Sequence, residues 1–558
     1  AAAEHTGGPL LVVAGPGTGK TRTLTHRIAH LVAERGVPAE RFLAITFTRR
    51  AADELLERLE ALLGEKAAAM TVTTLHGLGA LILREQHERA GLGADFTVVD
   101  ESLRQEIAAE VAGSAAAGRR LLARRDTEPH GADDEVARFE ARLREAGLVD
   151  FTDLVRLPVR LLSADEELTA SYRRRWTHIS VDEYQDVDET QYALLRLLAG
   201  PEADLTAIGD PDQAIYGFRG ADVGFFLRFT EDYPTARTVR LGRNYRSNST
   251  IVNAAVQAIA PASLVPGREL RAVGEFGEAP RIGVHVAADE HAEAAFVARA
   301  IDRLLGGTSL HSLDSGRVTE DGDDSLSFSD ICVLYRTDAQ SEAIISAFNT
   351  SGIPFQKRSH DRLLARPEVR LLTAELPHHP EGPVVERVRS AVGALCRRYA
   401  DHERRVTDLM TAGELVAPLA ERCGEDLSEF LSALALGAEV DALDPRADRV
   451  SLLTLHAAKG LEYPVVFLVG CEDGLLPFRF PGEERGDEAE ERRLFFVGIT
   501  RAQHRLYLSR ARRRTRRGST YEAAASPFLA AISPELTMQV DAESATRRRP
   551  RDRQLRLL

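Results

Sequence analysis

The stretch that decides the fold is "LLVVAGPGTGKTRT", Leu10 to Thr23. An apolar, β-branched run enters a glycine-rich loop, and "LTHRIAHLVAER" follows with apolar residues at helical spacing. Strand, glycine loop and helix in that order are what a phosphate-binding loop requires. Gly15, Gly17 and Gly19 let the backbone curl until its N–H groups face phosphate oxygens, and the helix N-terminus adds positive potential. Lys20 is placed to reach the β- and γ-phosphates, and the Thr21 hydroxyl to ligate Mg2+. Ala14 stands where the strict pattern has glycine, a mild departure. A glycine-rich turn with no phosphate chemistry is the bland alternative, and Gly-Lys-Thr between strand and helix weighs against it.

A second strand supplies the partner, in "THISVDEYQDVDETQ", Thr177 to Gln191. Asp182 and Glu183 fall at the C-terminal edge of "HISV", where ligands bind in open α/β sheets. Asp182 is expected to hold the magnesium, directly or through water, and Glu183 to polarise an attacking water as general base. An Asp-Glu pair alone is more often a solvated turn. Beside a phosphate loop, and followed by the apolar-spaced "TQYALLRLLAG", the pair points to hydrolysis of a nucleoside triphosphate with Mg2+.

The remainder of the chain bounds what that hydrolysis can serve. At 558 residues the chain exceeds one core, and three or four compact units are expected. No apolar run approaches the roughly 18 residues that suggest a membrane span, and no secretory signal opens the sequence. Cys332, Cys396, Cys423 and Cys471 lie far apart with no CxxC pair, which argues against a disulfide framework, a zinc site or an iron–sulfur cluster. A cytoplasmic location without a membrane partner is the expectation. The opening "AAAEHTGGPLLVV" lacks a methionine, so a trimmed part of a longer polypeptide is expected. The net charge of −14 does not advertise a nucleic-acid binder, although binding depends on where basic groups are placed rather than on their sum. Lysines occur only at Lys20, Lys66, Lys357 and Lys459.

The work comes from an ordered series of further segments: "AITFTRRAADELLER" (Ala44–Arg58), "TTLHGLGALILRE" (Thr73–Glu85) and "GDPDQAIYGFRGAD" (Gly209–Asp222), continued by "LGRNYRSNSTIV" (Leu241–Val252), "VSLLTLHAAKGLEYPVVFLVG" (Val450–Gly470) and "ERRLFFVGITRAQHRLYL" (Glu491–Leu508). In this order and spacing they resemble the motor of the UvrD/Rep/PcrA helicases, the superfamily 1 branch that moves 3′ to 5′, over nearly the whole chain. The resemblance implies an α/β fold with two RecA-like parallel-sheet motor domains, mostly helical insertions, and ATP with Mg2+ as cofactors. It implies that Arg246 and Arg501 come from the second motor domain and reach the γ-phosphate across the cleft as arginine fingers. A surface ion pair is the bland reading of either arginine. Gln213 becomes the γ-phosphate sensor, Tyr245 stacks on the adenine, Arg22 flanks it and Glu462 bonds the ribose. The family's adenine-reading glutamine motif falls just upstream of the phosphate loop, where this sequence opens, so the preference for ATP follows from resemblance alone.

On the nucleic-acid side the resemblance assigns base contacts to Phe47, Tyr216 and Phe218, with Arg219 on a phosphate. Single-strand binding without sequence preference needs such aromatic platforms beside a cationic track. Phe47 and Tyr216 as core residues at strand ends is the alternative. Many relatives carry tryptophan where Phe218 stands, while Trp176 lies elsewhere, so weaker stacking is expected. His76, Thr454 and His456 are assigned to the backbone of the strand, with Lys459 nearby. The run "RARRRTRRG" (Arg510–Gly518) reads as a solvated arginine loop, with an extra DNA contact as the alternative. "LPHHPEG" around His378 reads as a linker rather than a metal site.

The expected organisation is a first motor domain over 1–86 and 170–243, a helical insertion over 87–169, and a second motor domain over 244–372 and 447–535. A second, reduced helical insertion spans 373–446, and a basic tail of low order 536–558. "SLDSGRVTEDGDDS" reads as a surface loop, and the acids of "GEERGDEAEERR" suit the first turn of a helix. The expected partners are single-stranded DNA and single-strand/duplex junctions, with repair or defence proteins open. The leading expectation is an ATP-dependent 3′–5′ helicase and translocase of DNA repair or replication-fork maintenance. A motor subunit or fused domain of a larger assembly, with little unwinding of its own, is the close alternative because the second insertion is short. A nucleotide switch that never moves is opposed by the presence of Glu183, Gln213, Arg246 and Arg501. A fused nuclease is opposed by the lack of a downstream acidic cluster followed by lysine.

Overall fold

The computed structural model describes residues 2–540 apart from 6, 100, 128–133, 201–202, 275–278, 307–325, 359–362, 380, 437–446, 480–486 and 517. The expected surface loop at 312–325 and the tail from 541 onward lie outside the described residues. The chain divides into two compact units. One holds residues 1–15, 19–241 and 359–444, and the other 16–18, 242–358 and 445–558.

The first unit is built on a six-stranded sheet, parallel throughout, as the α/β expectation requires. Its spatial order is Thr71–Thr74, Phe42–Thr46, His178–Val181, Asp204–Gly209, Leu10–Ala14 and Arg237–Leu241. Side chains alternate across the pleat, so adjacent residues feed different cores. Leu10, Val12, Phe42 and Ala44 join one apolar cluster, while Leu11, Leu43 and Ile45 join the other. Both faces are therefore covered, which explains why these strands read as continuous apolar runs. Helix Lys20–Ala33 buries Leu24, Ile28 and Leu31 at helical spacing. Helix Arg49–Leu63 buries Ala52, Leu55 and Leu59 and is capped by the Thr48 side chain, which accepts from Ala51 N. Helix Glu189–Ala199 opens on a capping box made by Asp188 and Gln191.

The region 87–169 is mostly helical, with one small apolar cluster around Leu121 and Phe139 and a second, around Leu92 and Leu154, shared with Leu83 of helix Leu75–Glu85. Buried charge ties its helices together. Arg104 Nε lies 2.6 Å from Asp150 Oδ2, and Arg125 reaches Asp150 at 2.9 Å and Asp153 at 2.6 Å with its side chain fully buried. Burial alone would raise the Asp150 carboxyl, but Arg104 and Arg125 outweigh it and hold it below the ordinary carboxylate range. For Asp153 burial wins, and its pKa is raised.

Helices Pro367–Glu375, Val384–Arg398, Glu403–Arg422 and Leu427–Leu436 pack around Val388, Leu395, Val416 and Phe430. In sequence they interrupt the second sheet, whose strands Phe355–Arg358 and Val450–Thr454 run side by side. In space they belong to the first unit, where Arg49 Nη2 pairs with Glu429 Oε1 at 3.1 Å.

The second unit carries a seven-stranded sheet, again parallel throughout. Its order is Phe355–Arg358, Val450–Thr454, Ile331–Tyr335, Tyr463–Leu468, Ala502–Ala511, Ile282–Ala287 and Thr537–Gln539. The last described residues thus form an edge strand, with Ile282 opposite Thr537 and Val284 opposite Gln539. The acids expected at a helix start are there, since the Asp487 side chain caps helix Glu488–Ile499. The arginine run is no solvated loop. Arg513–Arg516 pairs antiparallel with Ser519–Glu522, and the alternation turns Arg514 inward. There it lies 2.6 Å from Glu293 and 2.6 Å from Glu472, all three buried. Two desolvated carboxylates give this arginine a structural task that composition could not reveal.

Candidate functional site

The loop Gly15–Gly19 joins strand Leu10–Ala14 to helix Lys20–Ala33, as the glycine pattern required. Gly17 needs its hydrogen for two reasons. Its φ is +66°, and a Cβ there would lie 2.6 Å from both Arg246 Cβ and Asn244 Nδ2. The Asn244 amide donates to the Pro16 carbonyl at 2.7 Å, and Tyr245 N donates to the Gly17 carbonyl at 2.8 Å.

In the first unit Lys20 opens the helix, with Thr21 next and Arg22 exposed. Lys20 Nζ lies 2.8 Å from Glu183 Oε1, with 13% and 20% of the two side chains exposed. Burial would lower the Lys20 pKa, yet Glu183, Asp182 and Asp210 together raise it, so the ammonium stays charged. Asp182 continues the line of strand His178–Val181, its N–H donating to Ile45 O at 2.8 Å and its Oδ1 accepting from Glu183 N at 2.9 Å. Glu183 itself is left-handed, at φ 53° and ψ 39°, and no other non-glycine among the described residues has positive φ. Such a conformation costs about 1–3 kcal/mol and persists where neighbours over-determine it.

Those neighbours include a residue that sequence reasoning missed. Gln185 Nε2 donates to Glu183 Oε2 at 2.5 Å, and Gln185 Oε1 accepts from Asp210 N at 3.1 Å. Gln213, buried, donates to Asp210 Oδ2 at 2.8 Å. The available signal was the glutamine inside "DEYQD", two residues past the glutamate in a segment otherwise devoted to chemistry. Thr21 and Asp182 offer a hydroxyl and a carboxylate oxygen. That all-oxygen donor set suits Mg2+, which keeps water and phosphate oxygens as its other ligands.

From Gln213 the loop runs on to an aromatic strip. Phe47 and Tyr216 stack with ring centroids 4.9 Å apart at 14°, and Tyr216 and Phe218 lie 6.3 Å apart at 51°. Tyr216 is 2% exposed, Phe47 half-buried and Phe218 64% exposed, so Phe218 presents the open face. The Arg219 guanidinium sits 5.8 Å from the Tyr216 ring and 5.5 Å from that of Phe218. His76 stacks on Phe151 at 4.0 Å, a packing contact within the same unit.

In the second unit Tyr245 is 57% exposed, with the Arg243 guanidinium 5.9 Å from its ring. Arg246 Nε lies 2.5 Å from Glu462 Oε2, whose other oxygen accepts from Gln503 at 3.1 Å. Arg501 is buried, donating to Val497 O at 2.9 Å, Leu461 O at 3.0 Å and Thr500 Oγ1 at 3.1 Å. Three directed bonds give its guanidinium a fixed orientation. Thr454 ends its strand with its hydroxyl accepting from Ala457 N at 3.2 Å, and His456 and Lys459 are half-buried in the turn beyond. In the first unit the assigned residues follow the C-terminal ends of parallel strands, where α/β sheets bind ligands, whereas in the second Thr454 and His456 follow a strand end and Glu462 and Arg501 immediately precede strands Tyr463–Leu468 and Ala502–Ala511.

Two family models match the chain. The UvrD/REP helicase N-terminal domain matches residues 1–135 and 120–234, and the UvrD-like helicase C-terminal domain matches 239–379 and 394–513. Among curated relatives, the ATP-dependent DNA helicase UvrD1 of Mycobacterium tuberculosis is 32% identical over 96% of this chain and 84% of its own length. The ATP-dependent DNA helicase PcrA of Bacillus subtilis is 31% identical over 98% of this chain and 86% of its own length. That of Leuconostoc citreum is 32% identical over 96% and 84% respectively.

Proposed function

Because the chain belongs to the UvrD/REP helicase family, we propose that it is an ATP-dependent DNA helicase that travels 3′ to 5′ along single-stranded DNA. Its place is in repair or replication-fork maintenance. The observation that supports this best is the continuous path from Lys20 through Glu183, Gln185, Asp210 and Gln213 to the aromatic strip ending at Phe218. A run of polar contacts links Lys20 to Gln213, and the chain continues from there to the aromatic strip.

Lys20, with the N–H groups of Gly15, Gly17 and Gly19, binds the phosphates. Thr21 and Asp182 would hold Mg2+, which would supply positive charge against the phosphate oxygens. Glu183 accepts the proton of the attacking water, and Gln213 reads the γ-phosphate. Arg246 and Arg501 stabilise charge spread over the transferred phosphoryl oxygens. Tyr245 and Arg22 flank the adenine, and Glu462 bonds the ribose. Phe218 stacks on bases, backed by Phe47 and Tyr216, while Arg219, His76, Thr454 and His456 take the backbone. The assignment of 1–86 with 170–243 and of 244–372 with 447–535 as the two motor domains belongs to the same reading.

The test is ATP hydrolysis with and without single-stranded DNA, beside unwinding of a duplex with a 3′ tail. Stimulation by the strand together with unwinding supports the reading. Stimulation without unwinding assigns translocation alone, and no stimulation removes the motor.

A further inference from the structure

Gln185 is fully buried, and its amide bonds Glu183, Asp186 and the backbone of Asp210. Nε2 donates to Glu183 Oε2 at 2.5 Å and to Asp186 Oδ2 at 3.2 Å, while Oε1 accepts from Asp210 N at 3.1 Å. The amide has one workable orientation. Reversed, its oxygen would face two carboxylates and its NH2 would face another N–H donor. The strand end is shaped to it, because a Cβ on Gly209 would lie 2.1 Å from Gln185 Oε1 and 3.0 Å from Phe226 Cε2. One residue on, Asp210 receives Gln213 Nε2 at 2.8 Å and the Asp212 N–H at 3.2 Å, and the loop continues to Tyr216 and Phe218. On the other side stands Glu183, whose left-handed backbone is of the kind that persists where neighbours over-determine it.

We propose that Gln185 is a positioning residue for nucleotide hydrolysis. It grips one oxygen of Glu183 and fastens that carboxylate to the strand end, Gly209–Asp210, from which the loop toward Phe218 departs. The inference rests on the reading of Glu183 as the group that polarises water. A shift of the loop can reach Glu183 through this amide, so the base and the start of the loop are held in one register.

Gln185→Met keeps the length and removes all three bonds. In the full chain with single-stranded DNA it lowers kcat roughly 10- to 100-fold, the effect of a slightly misplaced group, with the KM for ATP within about 3-fold of wild type. Placed on Glu183→Gln, the same substitution lowers the single-turnover rate by less than about 2-fold, since a residue acting through Glu183 then has nothing left to aim. Gly209→Ala, which leaves the amide present but drives a methyl against it, reproduces the fall in kcat. Wild-type kcat in both Gln185→Met and Gly209→Ala overturns the proposal, as does an undiminished further loss on Glu183→Gln, the mark of a merely structural role. Lys20→Ala measured alongside separates the two failures. Hydrolysis persisting in Lys20→Ala removes the reading of the whole site, whereas its loss there leaves any negative result to Gln185 alone.

Discussion

Two clusters of buried charge in the first unit are built differently. In the 87–169 region, Arg104 and Arg125 grip Asp150, Asp126 and Asp153 with rigid planar forks at 2.6–2.9 Å. Around the phosphate loop, one flexible ammonium faces Glu183, Asp182 and Asp210 with a single 2.8 Å contact, beside a left-handed glutamate. Bidentate arginine pairs hold one geometry, whereas a lysine point charge re-pairs readily. The first cluster is a fastening closed on itself. The second is an arrangement whose cation can exchange a carboxylate for a phosphate.

Deleting the central cation of each cluster should therefore do opposite things. Lys20→Ala is expected to lower ATP hydrolysis by more than about 10³-fold while single-stranded DNA is still bound. Stopped-flow phosphate release and fluorescence anisotropy check the two halves, and substantial residual turnover would break the contrast. Arg125→Ala should lower the opening free energy of helices Glu101–Ala112 and Ala115–Thr127 by about 3–5 kcal/mol, because buried carboxylates lose their partner. Hydrogen exchange on those helices measures it.

A third substitution sharpens the contrast on the ligand side. Phe218→Ala should weaken single-strand affinity by about 1–3 kcal/mol, the worth of one stacked base, and slow translocation. Full affinity and rate in that variant would take Phe218 out of the interface. The smallest effect concerns acid. The folded pKa of Asp150 lies below its ordinary value of 3.8, so its contribution is present above that value and lost as pH falls through the depressed one. Asp153 is raised, so its part runs the other way and stability drops as pH rises through its folded value. Asp150→Asn should flatten the acid-side loss of protection in these helices, seen by hydrogen exchange below about pH 4.

Much of the site was legible because its chemistry demands particular residues at particular spacings. Lys20, Asp182 and Glu183 follow from strand–loop–helix and strand–acid patterns, and both parallel sheets follow from the apolar runs that precede them. What stayed hidden depends on contacts between distant segments. Gln185 matters through Asp210, which lies on another strand. The left-handed backbone of Glu183 leaves no trace in its residue type. Arg514, Arg104 and Arg125 disappeared among the many arginines of this chain, since burial rather than identity sets them apart. Tyr216 reads as a platform by motif, yet the structure buries it behind Phe47 and leaves the open ring to Phe218. The helices from Pro367 to Leu436 interrupt the second sheet in sequence yet belong to the first unit, where Arg49 pairs with Glu429, and neither residue type announces that contact.

The strand Thr537–Gln539 pairs with Ile282–Val284 and forms one of the two edges of the second sheet. Shortening the protein at residue 536 would exchange this three-residue edge for the longer, more apolar strand Ile282–Ala287, with its row of unpaired backbone donors and acceptors. Such a rim recruits strands from neighbouring molecules. Three residues at the end of the described chain thus guard this motor against clumping, and a truncated version should be judged first by its solubility.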